Sequence, residues 1–337
     1  MSDEVVLRMS GVHVRYTRAG NVVRAVDGVD LEVGRGEVVA LVGESGCGKT
    51  SLVRAAIGLE PLAAGSVLVD GAAVGRRASD LRRLRRHVQM VFQDPTGALD
   101  PRQTVYEAVA EGLRVQRRPG NEPELVVDAL DRAGLRPPAR FLRRYPHELS
   151  GGQRQRVLIA AAMALSPAVL LADEPVASLD ASVRGEILAT MRSYVDESGL
   201  AIVAVTHDLG LAWNIADRVA VMYLGRIVEV GPADGVLEAP QHPYTRALLS
   251  VVPERRGGEP QVLSGEAPDP SDVPSGCRFH PRCPLVASGE AARLGIEARC
   301  RGEDPVLITT APGRSVACHV QANRPGIGVS VAGAGDG

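Results

Sequence analysis

Lysine is almost absent from this 337-residue chain: of its 38 Lys and Arg residues, one is a lysine, at position 49, and the other 37 are arginines. Solvated surface positions accept either cation, whereas some sites need the compact, three-donor ammonium of lysine. Lys49 is therefore a candidate for a specific role. Aromatic residues make up 3% of the chain, so the core has to be built from Val, Leu, Ile and Ala.

Long hydrophobic runs and an excess of one charge are also lacking. No apolar stretch reaches the ~20 residues of a membrane span, and the acidic start of the chain does not resemble a secretory signal. The formal net charge of -2 does not favour bulk binding to nucleic acid. The arginine-rich segment 76–87 has no interleaved aromatics, so we expect a solvated helix face there. We expect a cytoplasmic protein that works at a membrane only through partner chains.

Cysteine is scarce, and four of the five cysteines lie in the last quarter of the chain, at positions 277, 283, 300 and 318. In a cytosolic protein such clustering favours a metal or cluster site over disulfides. Four thiolates can hold an iron–sulfur cluster or zinc, and free thiols that pack a small subdomain are the third alternative. His280 and His319 are further candidate ligands. Cys47 stands apart and is not expected to bind metal.

A glycine-rich segment follows the apolar run 38–42, which predicts a buried strand, and precedes a predicted helix at 51–57. It matches the phosphate-loop pattern G-x-x-x-x-G-K-[ST] with Gly43, Glu44, Ser45, Gly46, Cys47, Gly48, Lys49 and Thr50. Its backbone N–H groups and the helix N-terminus suit phosphate. Lys49 would bridge the β- and γ-phosphates of ATP, Thr50 would bind Mg²⁺, and Ser51 would add a hydroxyl.

A second apolar run, 169–172, ends in the acidic pair Asp173 and Glu174. A strand that ends in two carboxylates suits Mg²⁺-dependent phosphoryl transfer. Asp173 would hold the Mg²⁺ ion, and Glu174 would polarise the attacking water. Together with the phosphate loop, this pair predicts ATP hydrolysis.

A third motif, Leu149-Ser150-Gly151-Gly152-Gln153, lies between the other two. In this order the three motifs resemble those of the ATP-binding-cassette (ABC) ATPases, over residues 5–240. The resemblance implies an α/β fold, a P-loop cassette with a RecA-like core, an antiparallel β subdomain and a helical subdomain at about 95–165. It also implies that Ser150, Gly151, Gly152 and Gln153 serve the ATP held by a second cassette.

The resemblance extends to further single positions. It implies that Tyr16 stacks on adenine, that Gln93 senses Mg²⁺ and the attacking water, and that His207 contacts the γ-phosphate. It also implies that Asp180, in the segment 178–180, couples the two ATP sites. On this basis the catalytic residues are Glu174, His207 and Gln93, and the Mg²⁺ ligands are Thr50, Gln93 and Asp173. Every expected residue type is present, so we expect a competent ATPase half-site.

The C-terminal part narrows the resemblance. Segments 242–249 and 277–284 resemble the extension of oligopeptide and dipeptide importer ATPases. Segments 91–95, 99–102 and 174–180 resemble the second ATPase of their non-identical pair. This implies a nucleotide-binding domain at 1–240, an extension at 241–325 and a disordered tail at 326–337. ATPases of this kind are thought to carry a [4Fe–4S] cluster, which favours iron–sulfur over zinc on Cys277, Cys283, Cys300 and Cys318.

The function implied is that of an ATPase subunit at the cytoplasmic face of the membrane. Its partners would be a second ATPase subunit, two transmembrane permease subunits and, indirectly, an extracytoplasmic solute-binding protein, with no nucleic acid. Peptides are the favoured cargo; nickel or other metal chelates, glutathione and sugars are alternatives. A soluble ABC protein of DNA repair or translation is disfavoured, because the chain has one cassette and no heptad run. A regulator without turnover is disfavoured by Glu174 and His207.

Overall fold

The computed structural model describes residues 4–18, 20–75, 77–177, 179–251, 263 and 265–323. Position 178 of the coupling segment and the predicted tail at 326–337 lie outside these residues. Across the described ranges, no helix is both long enough and apolar enough to cross a bilayer.

The described residues form twelve strands in two sheets. The strands are β1 Val5–Arg18, β2 Asn21–Gly34, β3 Val38–Val42, β4 Ala64–Val69, β5 Ala72–Ala73, β6 Val88–Val91, β7 Val169–Asp173, β8 Ala201–Thr206, β9 Arg218–Tyr223, β10 Arg226–Pro232, β11 Ile308–Ala311 and β12 Arg314–Val316. The larger sheet has the order β11-β12-β10-β9-β3-β8-β7-β6, and the smaller sheet has the order β2-β1-β4-β5.

The larger sheet is parallel from β9 to β6 and antiparallel from β9 to β11. Strands β3, β7 and β8 are buried at every residue. Strands covered on both faces need continuous apolar runs, which explains the sequence of both motif-bearing strands. The carboxyl ends of β3, β6, β7 and β8 therefore meet at one edge, where the motif residues follow them.

Fourteen α-helices surround the sheets in the described part of the chain. They are α1 Lys49–Ala56, α2 Ala78–His87, α3 Pro95–Ala98, α4 Val105–Gln116, α5 Glu122–Arg132, α6 Gly151–Met163, α7 Ala181–Ser198, α8 Leu209–Ile215, α9 Ala233–Glu238, α10 Pro243–Ser250, α11 Pro284–Ala287, α12 Glu290–Arg293, α13 Glu297–Gly302 and α14 His319–Ala322. The arginine-rich segment forms α2, in which Leu84 is the one buried residue.

Helices α3 to α6 follow β6 and precede β7 in the sequence, and together they form the helical layer. Val109, Leu130 and Val157, one from each of the three longer helices, are fully buried in the same apolar cluster as Leu170 and Ala172 of β7. The helical layer is therefore packed onto the core of the sheet, and its first residue, Pro95, follows Gln93 closely.

The C-terminal extension is part of the central sheet. Strand β12 pairs with β10 through Glu229↔Val316, and β11 pairs with β12. The sheet thus crosses the domain boundary that the sequence placed at residue 240. The reason is physical: β10 is an edge strand of the cassette, and strand edges present unpaired N–H and C=O groups.

An aromatic cluster joins the extension to the cassette. Tyr223 of β9, Tyr244 of α10 and Phe279 are each at most 1% exposed, and their ring centroids lie 4.6 to 5.4 Å apart. Such tilted and edge-on pairs stabilise a contact beyond the area that they bury. Three of the ten aromatic residues of this chain thus lie where the extension meets the cassette.

Candidate ATP site

The phosphate loop joins the carboxyl end of β3 to the start of α1. A Cβ atom on Gly43 would lie 2.2 Å from the carbonyl oxygen of Met222, and one on Gly48 would lie 2.0 Å from that of Ala25. Gly48 also has a φ of 107°, in the region that favours glycine. Backbone cannot yield as a side-chain tip can, so the tight curl of the loop requires glycine at both positions.

Lys49 is held inside this curl. The residue is 6% exposed, and its ammonium donates hydrogen bonds to the carbonyl oxygens of Gly43, at 2.7 Å, and Glu44, at 2.9 Å. The thiol of Cys47 lies 3.8 Å from the same nitrogen, and burial raises its pKa. The one lysine of the chain therefore lies at the centre of the loop, as the motif predicts.

Thr50 and Asp173 form the first pair of predicted metal ligands. The Thr50 hydroxyl donates to Oδ1 of Asp173 at 3.2 Å, so the structure brings α1 and the end of β7 together at this point. Asp173 is 4% exposed. Burial raises its pKa, against the hydrogen bond from Thr50 and the charges of nearby cations. Hydroxyl and carboxylate oxygens are ligands that Mg²⁺ prefers.

Glu174 is held between the other two predicted catalytic residues. Gln93 donates from Nε2 to Oε2 of Glu174 at 3.0 Å, and Nδ1 of His207 lies 2.9 Å from Oε1. The Glu174 backbone has a φ of 47°, and its N–H donates to the carbonyl of Val205. A non-glycine residue in the left-handed region stores strain, which is typical of functional sites.

Tyr16, a residue of β1, lies beside the first turn of α1. Its hydroxyl donates to Oγ of Ser51 at 3.1 Å, and its ring is partly buried beside the apolar cluster of the antiparallel sheet. The structure thus places Tyr16 next to the phosphate loop, and it ties the tyrosine to one of the two hydroxyl residues that begin the helix.

The signature segment lies at the N-terminus of α6, on the helical layer. Ser150 caps this helix: its side chain accepts from the Gln153 N–H, and the Gln153 side chain accepts from the Ser150 N–H. Asp180 caps α7 by accepting from Val183, and a Cβ on Gly152 would lie 2.6 Å from Val183. Within the described ranges, no hydrogen bond joins residues 150–153 or Asp180 to the phosphate loop.

The four cysteines of the extension line one small cavity, together with His242, Phe279 and His319. Burial raises the pKa of Cys277 to about 12 and that of Cys318 to about 11. His280 and His319 each face a backbone carbonyl, of Cys277 and Glu303 respectively. Among the described residues, no group of three or more His, Cys, Asp or Glu side chains is arranged so that it could hold a metal ion.

The structure adds three residues that the sequence did not single out. The Tyr244 hydroxyl accepts from the N–H of Glu44 at 2.9 Å, and Arg282 donates to both carboxylate oxygens of Glu44, at 2.9 and 3.2 Å. Arg278 donates to Asp27 and to the carbonyl of Leu224. Buried arginines need carboxylate partners, but no sequence signal tells which carboxylate, because Glu44 is 238 positions from Arg282.

Comparisons with known proteins decide the family. The family model described as ABC transporter matches residues 26–177, and that of the oligopeptide/dipeptide transporter C-terminal region matches residues 228–289. The "Probable peptide ABC transporter ATP-binding protein y4tS" of Sinorhizobium fredii is 45% identical over 309 residues, which are 89% of this chain and 84% of the relative. The chain belongs to the ABC transporter ATP-binding proteins.

Other relatives of this ABC protein agree. The "Di/tripeptide transport ATP-binding protein DppF" of Pseudomonas aeruginosa is 43% identical and covers 88% of this chain and 90% of its own length. The dimeric structure of MJ0796, a bacterial ABC transporter cassette, matches with a TM-score of 0.62 and 28% identity, over 67% of this chain and 98% of that one. The structure of cbiO1 from Clostridium perfringens matches with a TM-score of 0.63 and 30% identity, over 70% of this chain and 92% of that one.

These findings confirm the predicted family, the predicted fold class and the prediction of an enzyme. The chain is an ABC ATPase with an α/β P-loop cassette, an antiparallel β subdomain and a helical layer. The match to the C-terminal region of oligopeptide and dipeptide transporters follows the cassette match along the chain, at residues 228–289.

Proposed function

We propose that this chain is the ATPase subunit of an ABC importer for peptides and acts at the cytoplasmic face of the membrane. The relatives named above are peptide transport proteins, and the extension matches the oligopeptide/dipeptide type. Its partners would be a second, non-identical cassette, two permease subunits and, through them, a solute-binding protein. The alternative cargoes are metal chelates, glutathione and sugars.

One observation carries the catalytic assignment: Gln93, Glu174 and His207 are hydrogen-bonded in a row beside the Thr50–Asp173 pair. They follow strands that are neighbours in the sheet, so the row has a fixed geometry. Thr50, Asp173 and Gln93 would hold Mg²⁺ on the phosphates. Glu174 would accept a proton from the attacking water, and His207 would orient this carboxylate and contact the γ-phosphate.

Lys49 would release the two loop carbonyls and bind the β- and γ-phosphates instead, while the loop N–H groups bind the remaining oxygens. Tyr16 would support the adenine from β1. All these groups lie around one loop, whose residues are Gly43, Glu44, Ser45, Gly46, Cys47, Gly48, Lys49, Thr50 and Ser51. The site is therefore built for the tail of a nucleoside triphosphate.

Ser150, Gly151, Gly152, Gln153 and Asp180 would act on the ATP of the second cassette. Support comes from the exposure of Ser150, Gly151 and Asp180 and from the start of α6, because the N-terminus of a helix suits an incoming anion. Two cassettes in face-to-face contact would place this helix start against the partner's phosphate loop. ATP binding would close the pair, hydrolysis would reopen it, and the motion would drive the permeases.

The proposed function is tested on the complex that co-purifies with this subunit from a membrane extract. Reconstituted in liposomes with its binding protein, the complex should couple ATP hydrolysis to the uptake of labelled di- and oligopeptides, and Lys49→Ala should abolish both. Uptake of nickel chelate, glutathione or sugar in place of peptides would refute the proposal that peptides are the cargo. Hydrolysis unaffected by Lys49→Ala would refute the site.

We also propose that Cys277, Cys283, Cys300 and Cys318 hold a [4Fe–4S] cluster. The support is the donor set, since four thiols line one cavity. A single zinc ion bound at about 2.3 Å would need its ligands close together, whereas a cluster takes one thiolate at each of four irons. When bound, the cluster would supply one-electron redox chemistry. Iron and sulfide assays on anaerobically purified protein, with Cys318→Ser for comparison, test this; iron-free protein refutes it.

A further inference from the structure

Glu44, the second residue of the phosphate loop, has every polar group occupied. Its N–H donates to the Tyr244 hydroxyl at 2.9 Å, and its carbonyl accepts from Lys49 at 2.9 Å. Its two carboxylate oxygens accept from the two terminal nitrogens of Arg282, at 2.9 and 3.2 Å. A loop residue fixed at backbone and side chain together has one conformation, which sets the direction of the N–H groups that follow it.

Two of these three partner residues of Glu44, Tyr244 and Arg282, come from the C-terminal extension. Tyr244 lies in α10 and is fully buried, and Arg282 lies in the turn between Cys277 and Cys283 and is 8% exposed. The turn is itself rigid, because the Arg282 N–H donates to the Phe279 carbonyl and Phe279 packs on both Tyr223 and Tyr244. The extension therefore presents a preformed clamp to the loop.

The negative charge of Glu44 explains why a contact with Arg282 would matter for ATP binding. A carboxylate in a phosphate loop repels the triphosphate that the loop has to bind. The paired guanidinium cancels the charge of Glu44, and a bidentate pair does so in a fixed plane. The side chain of Glu44 is 28% exposed and that of Arg282 is 8% exposed, so solvent screens this pair less than it would a surface pair.

We propose that Arg282 and Tyr244 are positioning residues of the ATP site, through which the C-terminal extension sets the nucleotide affinity of the phosphate loop. This inference rests on the proposed assignment of residues 43–51 as that loop. The rival explanation is that Arg282 only docks the extension. Docking already has its own contacts elsewhere, in the buried pair of Arg278 with Asp27 and in the strand pairing of β12 with β10.

The two explanations differ in the effect of a second substitution. If Arg282 compensates the charge of Glu44, Arg282→Met should weaken MgATP binding about tenfold, and adding Glu44→Gln should recover most of that loss. Arg282→Lys keeps the charge without the bidentate geometry and should fall between. Tyr244→Phe frees the Glu44 N–H and should raise the Kd of MgATP less than Arg282→Met does.

The experiment measures MgATP binding to the full chain by calorimetry, with thermal unfolding of each variant as a check on folding. Arg299→Met is the matched control, because Arg299 lies in the same extension and pairs with exposed Glu303; its Kd should equal that of the wild type. Lys49→Ala runs in parallel and should abolish binding.

Recovery of affinity in Arg282→Met/Glu44→Gln supports the proposal. A double variant that binds no better than Arg282→Met, or an Arg282→Met variant with wild-type affinity, overturns it while Lys49→Ala still abolishes binding. If Lys49→Ala leaves binding intact, the proposed site itself fails, which is a separate outcome. Should Arg282→Met not fold, Arg282→Lys alone and combined with Glu44→Gln gives the same comparison.

Discussion

Nδ1 of His207 lies 2.9 Å from one carboxylate oxygen of Glu174, and Nε2 of Gln93 lies 3.0 Å from the other. The three residues follow β8, β7 and β6, which are adjacent in the sheet. The carboxylate is thus oriented by its neighbours on both sides. A general base has to lie in the right orientation towards the proton that it accepts. Here the residues that orient the Glu174 carboxylate follow neighbouring strands of the sheet.

Glu174→Gln should reduce steady-state ATP hydrolysis by roughly 10²- to 10⁴-fold and leave ATP binding intact. Glutamine keeps the size of the side chain, but it has one accepting oxygen instead of two and cannot accept the proton. Phosphate release and nucleotide binding by the assembled transporter give the two measurements. Glu186→Gln is the control, since Glu186 is an exposed partner of Arg156 and its loss should not change turnover. Full hydrolysis by Glu174→Gln would remove Glu174 from its role.

Asp173→Asn should stabilise the chain at pH 8 when Mg²⁺ is chelated. Burial raises the pKa of Asp173, so the folded chain holds this proton more tightly than the unfolded chain. Stability is therefore lost as the pH rises above the ordinary Asp value of about 3.9, and the advantage of asparagine should shrink as the pH falls towards it.

Denaturant unfolding between pH 5 and 8 measures this difference, and the same titration with Mg²⁺ should stabilise the wild type but not Asp173→Asn. Asp196→Asn serves as the comparison, because Asp196 is an exposed partner of Arg192. An Asp173→Asn chain that is less stable than the wild type at pH 8, or equally stabilised by Mg²⁺, would contradict the assignment.

Gly48→Ala should destabilise the fold more than Gly46→Ala. Both glycines have positive φ, 107° and 78°, so alanine costs about 1–2 kcal/mol at either position. Only at Gly48 would the new methyl group lie 2.0 Å from a backbone oxygen, while the space around Gly46 is open. Equal losses of unfolding free energy in the two variants would show that the close approach of the loop to Ala25 does not constrain it.

Ser150→Ala and Thr104→Ala form a matched pair, because each serine or threonine caps a helix of the helical layer in a capping box. Each substitution should cost about 1 kcal/mol of stability. Only Ser150→Ala should also lower ATP hydrolysis by the assembled cassette pair, because Ser150 would contact the partner's nucleotide. A similar activity for the two variants would argue against the proposed role of the signature.

The central part of the site could be predicted because its chemistry is local. The phosphate loop and the acidic pair each follow a buried apolar strand, and parallel strands bring such ends together. The contact of Arg282 with Glu44 could not be predicted, because the two residues are 238 positions apart and nothing in the local pattern of either reveals the other. Strands β11 and β12, with four and three residues, are too short for alternation to show.

Strand β12 covers the backbone of β10, and Glu229, fully buried at this edge, is paired with Arg314 from β12. An uncovered strand of a central sheet is a template for other chains, and proteins protect such edges. A cassette cut off before β11 would present an open strand edge and a Glu229 carboxylate without its arginine partner. We therefore expect the segment that reaches the phosphate loop also to limit self-association of this subunit.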